Sequence, residues 1–179
     1  MKLGNAIKHF KLITHHKWMV FKLCCKIGEP WRGFMHDFSK YSPTEFIESA
    51  NYYVGTHSPI TEAKKDKGYS EAWLHHKGRN RHHPQYWEDN NAPDQTPVIP
   101  YKYAAEMICD KLAAGIIYEG KNWTKELELN YWKKERERIR VNEKIDKFIT
   151  EVFEQVAKDG IDKVFTKKNI KMLYKKNCE

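Results

Sequence analysis

No stretch of this chain is long, apolar and free of charge. The amino-terminal segment already carries Lys2, Lys8, His9, Lys11, His15, His16 and Lys17, which leaves no room for a secretory leader or a membrane span. Cysteine is scarce. The four, at 24, 25, 109 and 178, have neither the spacing of a zinc knuckle nor that of a disulfide framework, so the expectation is a reduced, cytoplasmic protein. Acidic residues are outnumbered, 24 against 32 Lys and Arg, and the net charge of +8 favours anionic partners: a phosphorylated small molecule, nucleic acid or an anionic surface. Internal repeats, two-residue alternation and hairpin turns are all missing, which excludes a repeat array and a sheet-based fold. A mean hydropathy of -0.82 would suit a disordered chain, but six Trp and ten Tyr are the material of a packed core. At 179 residues the chain fits one domain.

What is present has helical period. Across residues 5–27, Leu12, Ile13, His16, Met19, Val20, Leu23 and Ile27 recur at three- and four-residue steps, and Gly28 is placed as a stop. Pro30-Trp31-Arg32-Gly33 reads as a short connection. Ser42-Pro43-Thr44-Glu45 supplies a cap, a first-turn proline and a capping-box glutamate for a helix ending near Gly55. Residues 56–68 read as a polar loop. Ser70 can cap a helix running toward Asn80, and Pro84 biases His83 out of helical geometry. Residues 88–100, rich in Asn, Asp and Pro, form the clearest loop and a candidate lid. Tyr101 to Tyr118 is apolar nearly all round, hence a buried helix; 124–140 and 143–158 are charged and amphipathic, and Thr166 can cap a last helix. The expected fold is all-α, a single helical bundle of about six to eight helices, with the chemistry in 10–118 and the charged helices of 124–176 packed on it.

Several residues in this frame have no easy packing explanation. His16 lies in the first apolar stripe while His15 falls among lysines, so His16 is either a hydrogen-bonded core histidine or a ligand. His36-Asp37 places an imidazole beside a carboxylate, able to meet one divalent ion or to bridge two; the plainer alternative is a helix-capping Asp beside an exposed His. Asp110 sits in the apolar helix, where a carboxylate must be paired, protonated or bound to metal. Glu106, one turn earlier, can hold a ligand imidazole from behind or be an ordinary helix-face charge. Four histidines fall between 75 and 83 among Lys77, Arg79 and Arg81. Either this is a solvated basic turn, or His76 with His82 or His83 ligates a second ion while Arg79 or Lys77 meets a phosphate.

The order His16, then His36-Asp37, then Asp110 resembles the skeleton of the HD superfamily of metal-dependent phosphohydrolases, over roughly residues 10–118. More narrowly, His16-Lys17-Trp18, His36-Asp37-Phe38-Ser39-Lys40-Tyr41-Ser42-Pro43, Asn80-Arg81-His82-His83-Pro84-Gln85-Tyr86-Trp87 and Glu106-Met107-Ile108-Cys109-Asp110 resemble an uncharacterised bacterial and phage HD-like family. The resemblance implies one ion on His16, His36, Asp37 and Asp110. Two further histidines in the interval, here His76 with His82 or His83, imply a second. Ser39, where a glycine is usual, and the His-rich turn argue against a plain mononucleotide phosphatase.

The function expected on this basis is hydrolysis of a nucleotide or related phosphoester by a metal-activated water, with one or two divalent ions (Mn, Fe, Mg, Co, Ni or Zn) as cofactor. Asp37 would bridge the ions or orient the nucleophile, and Lys40, Lys77 and Arg79 would bind phosphate. Two alternatives are a di-iron oxygenase built on the same ligands and a non-catalytic nucleotide-binding or regulatory protein. Nucleic acid is a less favoured partner, because the lysines of the tail (163, 167, 168, 171, 175 and 176) alternate with apolar residues, as on the wet face of a docked helix.

Overall fold

A computed structural model describes residues 2–179. It is all-α, with ten helices: α1 (Leu3–Lys26), α2 (Pro30–Met35), α3 (Pro43–Asn51), α4 (Pro59–Lys67), α5 (Glu71–Lys77), α6 (Tyr101–Glu119), α7 (Leu127–Glu135), α8 (Glu143–Asp159), α9 (Ile161–Val164) and α10 (Lys167–Cys178). Short 3-10 turns cover Phe38–Tyr41, Pro84–Tyr86 and Gly120–Asn122. The number exceeds the expected six to eight because α2, α4 and α9 lie in segments too short or too polar to show a period. Residues 56–68 are not a loop: Ser58-Pro59 opens α4 and Gly68, in the left-handed conformation, closes it. The connection at 30–33 is likewise helical, with Pro30 in its first turn.

The expected boundaries hold elsewhere to within a turn or so. Ser42 accepts from the Glu45 amide, Ser70 from Trp73 and Thr166 from Asn169, so three predicted caps are made. Gly28 takes φ 81° just past α1, and α2 folds straight back on α1. α5 stops at Lys77, three residues short of expectation, because Asn80 turns its side chain onto the His76 carbonyl and ends the helix there.

α6 is the axis. Its stretch from Tyr103 to Cys109, with Leu112 and Ala113, is buried, and α1, α2, α7, α8 and α10 pack on it. α8 contributes Ile145, Phe148, Ile149, Val152, Phe153 and Val156 to the core, all fully buried, and α10 adds Ile170 and Leu173. The 88–100 segment is pinned to this end of the molecule, with Asn142 donating to the Thr96 carbonyl, Arg140 to Asn90 and the Tyr174 hydroxyl to the Ile99 carbonyl. Among the described residues no helix is long and apolar enough to cross a membrane.

Candidate metal centre

Four segments aim polar side chains at one buried point. The stripe of α1 that buries Ile13 and Val20 also buries His16, and leaves His15 exposed. After α2 the chain turns sharply: Asp37 takes φ 51°, alone among non-glycine residues described, and this left-handed step buries both His36 and its neighbour Asp37. Asp37 heads the following 3-10 turn without capping it, so its carboxylate is free for the interior. The end of α5 supplies His76, the turn closed by the His83 amide on the Asn80 carbonyl supplies His82, and extended His83 precedes Pro84. Glu106 and Asp110, one turn apart on α6, complete the set.

These donors divide around Asp37. On one side His36 Nε2 lies 3.2 Å from Asp37 Oδ2 and 3.4 Å from Asp110 Oδ1, while His16 Nε2 lies 2.9 Å from Asp110 Oδ1 and 3.3 Å from His36 Nε2. On the other, His76 Nε2 and His82 Nε2 lie 3.3 and 3.4 Å from Asp37 Oδ1, and His83 Nε2 lies 2.9 Å from His76 Nε2. In each quartet, His16–His36–Asp37–Asp110 and Asp37–His76–His82–His83, the ligand atoms all fall within 4.8 Å of one another. Either quartet could hold a metal ion. His82 and His83, offered by the sequence as alternatives, both fall in the second quartet.

The rings are held from behind. Glu106 Oε1 sits 3.0 Å from His36 Nδ1, and Arg32 binds the other Glu106 oxygen with Nε at 2.8 Å. Glu45 reaches His76 Nδ1 at 2.7 Å and His75 Nδ1 at 2.6 Å. A carboxylate on Nδ1 fixes the proton there and leaves Nε2 with its lone pair facing the cluster, the arrangement that metal-binding imidazoles adopt. Glu45 was expected to close a capping box; its carboxylate is spent on the histidines instead. Glu45 and Arg32 are the residues that sequence reasoning missed, and neither spacing nor composition could have named them.

Electrostatics point to a cation. Burial lowers the His16 pKa despite its bond to Asp110, and burial with His82 and His76 nearby holds His83 well below the ordinary imidazole range, so both rings stay neutral. At His36 burial is overcome by Asp37, Asp110 and Glu106, which raise its pKa well above the usual value. Burial opposes ionisation of Asp37 and Asp110 too, but neighbouring His36, with Lys40 at Asp37 and His16 at Asp110, keeps both carboxyls well below the ordinary range. Glu106 is held at about 2, its burial outweighed by His36 and His82. Four carboxylates, those of Asp37, Glu45, Glu106 and Asp110, thus share the cluster with the cations Lys40, Arg32 and Lys17, and loss of the His36 proton would leave a net deficit of one positive charge for an ion to fill. Asp37 Oδ1 and both ring nitrogens of His82 are buried without a hydrogen-bond partner. Such atoms are costly unless something binds them, and a divalent ion satisfies them while competing for the His36 proton.

A cavity of about 510 Å³ opens from this cluster, lined at its inner end by His16, His76, His82, His83 and Asp110. Lys40 is on its wall, its Nζ 2.6 Å from Asp37 Oδ2. Lys77 and Arg79 are not: Lys77, the last residue of α5, is half-buried outside the lining, and Arg79 is exposed in the turn that follows. Nor do residues 88–100 cover it. The rim comes instead from Thr56 to Thr61 and from α7.

The chain belongs to the family of unknown function DUF5662, whose profile matches residues 5–155. No curated protein and no solved structure matches it.

Proposed function

We propose that this protein is an HD-type metal-dependent phosphohydrolase acting on a nucleotide or related phosphoester. One observation carries the reading: Asp37 turns one carboxylate oxygen to each of two ligand sets, Oδ2 toward His36 and Oδ1 toward His76 and His82, the disposition of a bridging ligand. Bound there, divalent ions supply an activated water and neutralise charge developing on a phosphoryl group. The chain's own part is to orient and to compensate. Glu106 and Glu45 hold the imidazoles, Lys40 neutralises Asp37 from the cavity wall where it can also meet a phosphoryl oxygen, and two divalent ions would turn the buried deficit into a surplus that draws an anion. Five imidazoles against two carboxylates favour Mn, Fe, Co, Ni or Zn over Mg, which prefers oxygen ligands. Four unpaired thiols accord with a reducing, cytoplasmic setting.

The same nitrogen-rich set suits iron and supports a second reading, a di-iron oxygenase. Elemental analysis of protein purified without chelators, followed by assays on nucleoside mono- and diesters and on bis(p-nitrophenyl) phosphate, separates them. The hydrolase reading expects two transition-metal equivalents per chain and phosphoester cleavage that a chelator stops. Iron with an oxygen-sensitive optical band and no cleavage would install the oxygenase. A nucleotide recovered intact from the loaded protein would make it a binding protein.

A further inference from the structure

Of the fifteen large hydrophobic side chains exposed among the described residues, eight lie between Leu3 and Phe38, and the metal centre uses none of them. On α1, Leu3, Ile7, Phe10, Thr14 and Trp18 follow at three- and four-residue steps and share one exposed face, away from the stripe that buries Ile13, His16 and Val20. α2 extends it. Gly33 lies so close to α1 that a Cβ there would come 2.8 Å from the Phe21 Cα, and this approach sets Trp31, Phe34 and Phe38 beside the α1 face. Ring contacts make the surface continuous: Trp31 stacks on Phe34 at 5.7 Å, Phe38 meets Tyr41 at 6.0 Å, and Tyr41 meets Phe10 at 5.8 Å. Lys17 joins the two runs, its Nζ 5.8 Å from the Phe34 ring centre and 4.9 Å from that of Phe38. A continuous apolar surface of this kind marks a contact with something outside the chain.

The charges of α1 have one sign. Residues 2–28 contain six lysines and neither Asp nor Glu, and Glu29 is the first acid. Lys26 is paired with Asp162 and Lys17 donates to the His36 carbonyl, but Lys8, Lys11 and Lys22 are exposed beside the apolar row with no acid partner among the described residues. Aromatic and aliphatic side chains in a row with lysines alongside are the pattern of a helix lying in a lipid interface, where the rings enter the acyl boundary and the lysines reach phosphate. We infer that the α1–α2 face docks on an anionic lipid bilayer. A protein partner presents charges of both signs, whereas a helix that is basic throughout suits a surface that is negative throughout. Single-stranded nucleic acid is uniform in sign as well, but it needs free ring faces to stack on. Here the rings already have neighbours: Trp18 has Phe21 at 5.2 Å and Lys22 at 5.9 Å, and Phe34 has Trp31 and Lys17. None of the exposed hydrophobic residues of this face lines the metal-centre cavity, so the inference stands apart from the hydrolase reading.

Co-sedimentation of the full chain with vesicles tests this, comparing pure phosphatidylcholine with vesicles in which about one lipid in three is phosphatidylserine, at about 0.1 M salt. The protein should pellet with the anionic vesicles and stay in solution with the neutral ones. Changing Lys8, Lys11 and Lys22 together to Gln should weaken binding about 100-fold, the size expected of three lysines near an anionic leaflet. Trp18→Ala and Trp31→Ala should each weaken it about tenfold. All five side chains are exposed, so these variants should keep the wild-type melting curve and metal content. Changing Lys121, Lys133 and Lys134, which are exposed on and beside α7, to Gln removes the same charge elsewhere and should leave binding within about threefold. Binding to neither vesicle, equal binding to both, or as large a loss in the α7 control overturns the inference. Wild-type binding by both Trp variants does so too, because the apolar half of the face would then be idle. Capture of an oligothymidylate by protein that ignores vesicles would make the face a strand-binding platform instead.

Discussion

The face of α6 that carries Glu106 and Asp110 and the seam where α8 and α10 pack are built from opposite materials. At the seam, Phe148, Phe153, Ile149 and Leu173 are buried with nothing to satisfy but shape. At the candidate metal centre, His36, Asp37, His82 and Glu106 are buried to the same degree, and each must find a charge or a hydrogen bond. The apolar seam repays its burial on folding at roughly 25 cal/mol per Å². The polar cluster costs free energy until it is compensated. Substitutions in the two regions should therefore fail in different ways.

The largest contrast is between Asp37 and Phe153. Asp37→Ala should empty both ligand sets, seen as loss of all bound transition metal by elemental analysis, and lower phosphoester cleavage by about 10³-fold or more, given the several kcal/mol an ion contributes. Phe153→Ala should cost about 3–5 kcal/mol in denaturant unfolding and leave the metal content of the folded fraction unchanged. Metal loss in the second variant, or retention in the first, would erase the division between the regions.

A smaller effect sharpens it. Glu45→Gln and Glu106→Gln leave every ligand in place and replace the carboxylates behind His76 and His36 by neutral amides, so metal affinity measured by competition with a chelator should fall about 10–100-fold. On α1 the same logic separates neighbours: His16→Gln should weaken metal binding, and His15→Gln, on the exposed face, should match wild type in the same titration.

The smallest expected effect concerns His9, two turns before His16. It is buried beside Phe46 and Tyr53, its Nδ1 is unpartnered, and burial, helped by Lys40, lowers its pKa to about 4. Because the folded pKa lies below the unfolded value of 6.5, the neutral ring's contribution is complete above pH 6.5 and is lost as pH falls from there to about 4. In metal-free protein, His9→Leu should remove about 1–2 kcal/mol of that acid loss, read as a flatter dependence of unfolding free energy on pH over this window. An unchanged slope would show the ring to be relieved by water.

The elements that sequence reasoning located are those whose signal is local. The α1 stripe separates His16 from His15, and the all-round apolarity of α6 marks Asp110 as a residue needing compensation. The same grammar that found α3 through Ser42-Pro43 was present at Ser58-Pro59 and Gly68, and the polar composition of 59–67 concealed it. Other features depend on contacts distant in sequence. Glu45 meets His76 across 31 residues and Arg32 meets Glu106 across 74, so nothing near either one announces its role. Lys77 and Arg79 illustrate the converse: nearness in sequence to a ligand is not nearness to the cavity, because Lys77, next to buried His76 at the end of α5, and Arg79 in the turn after it both lie outside the lining.

Asp37 also stands in the left-handed region, at φ 51°. For an L-residue that hand costs roughly 1–2 kcal/mol, and glycine, asparagine and aspartate are the residues that enter it readily. Two filters therefore act on one codon. The backbone admits Gly, Asn and Asp; a bridging ligand must be a carboxylate, and of the three only Asp has one. On the proposed function, a relative of this fold that lacks metal chemistry should carry its mark here first, as Asn or Gly at position 37 with the five histidines still in place around it.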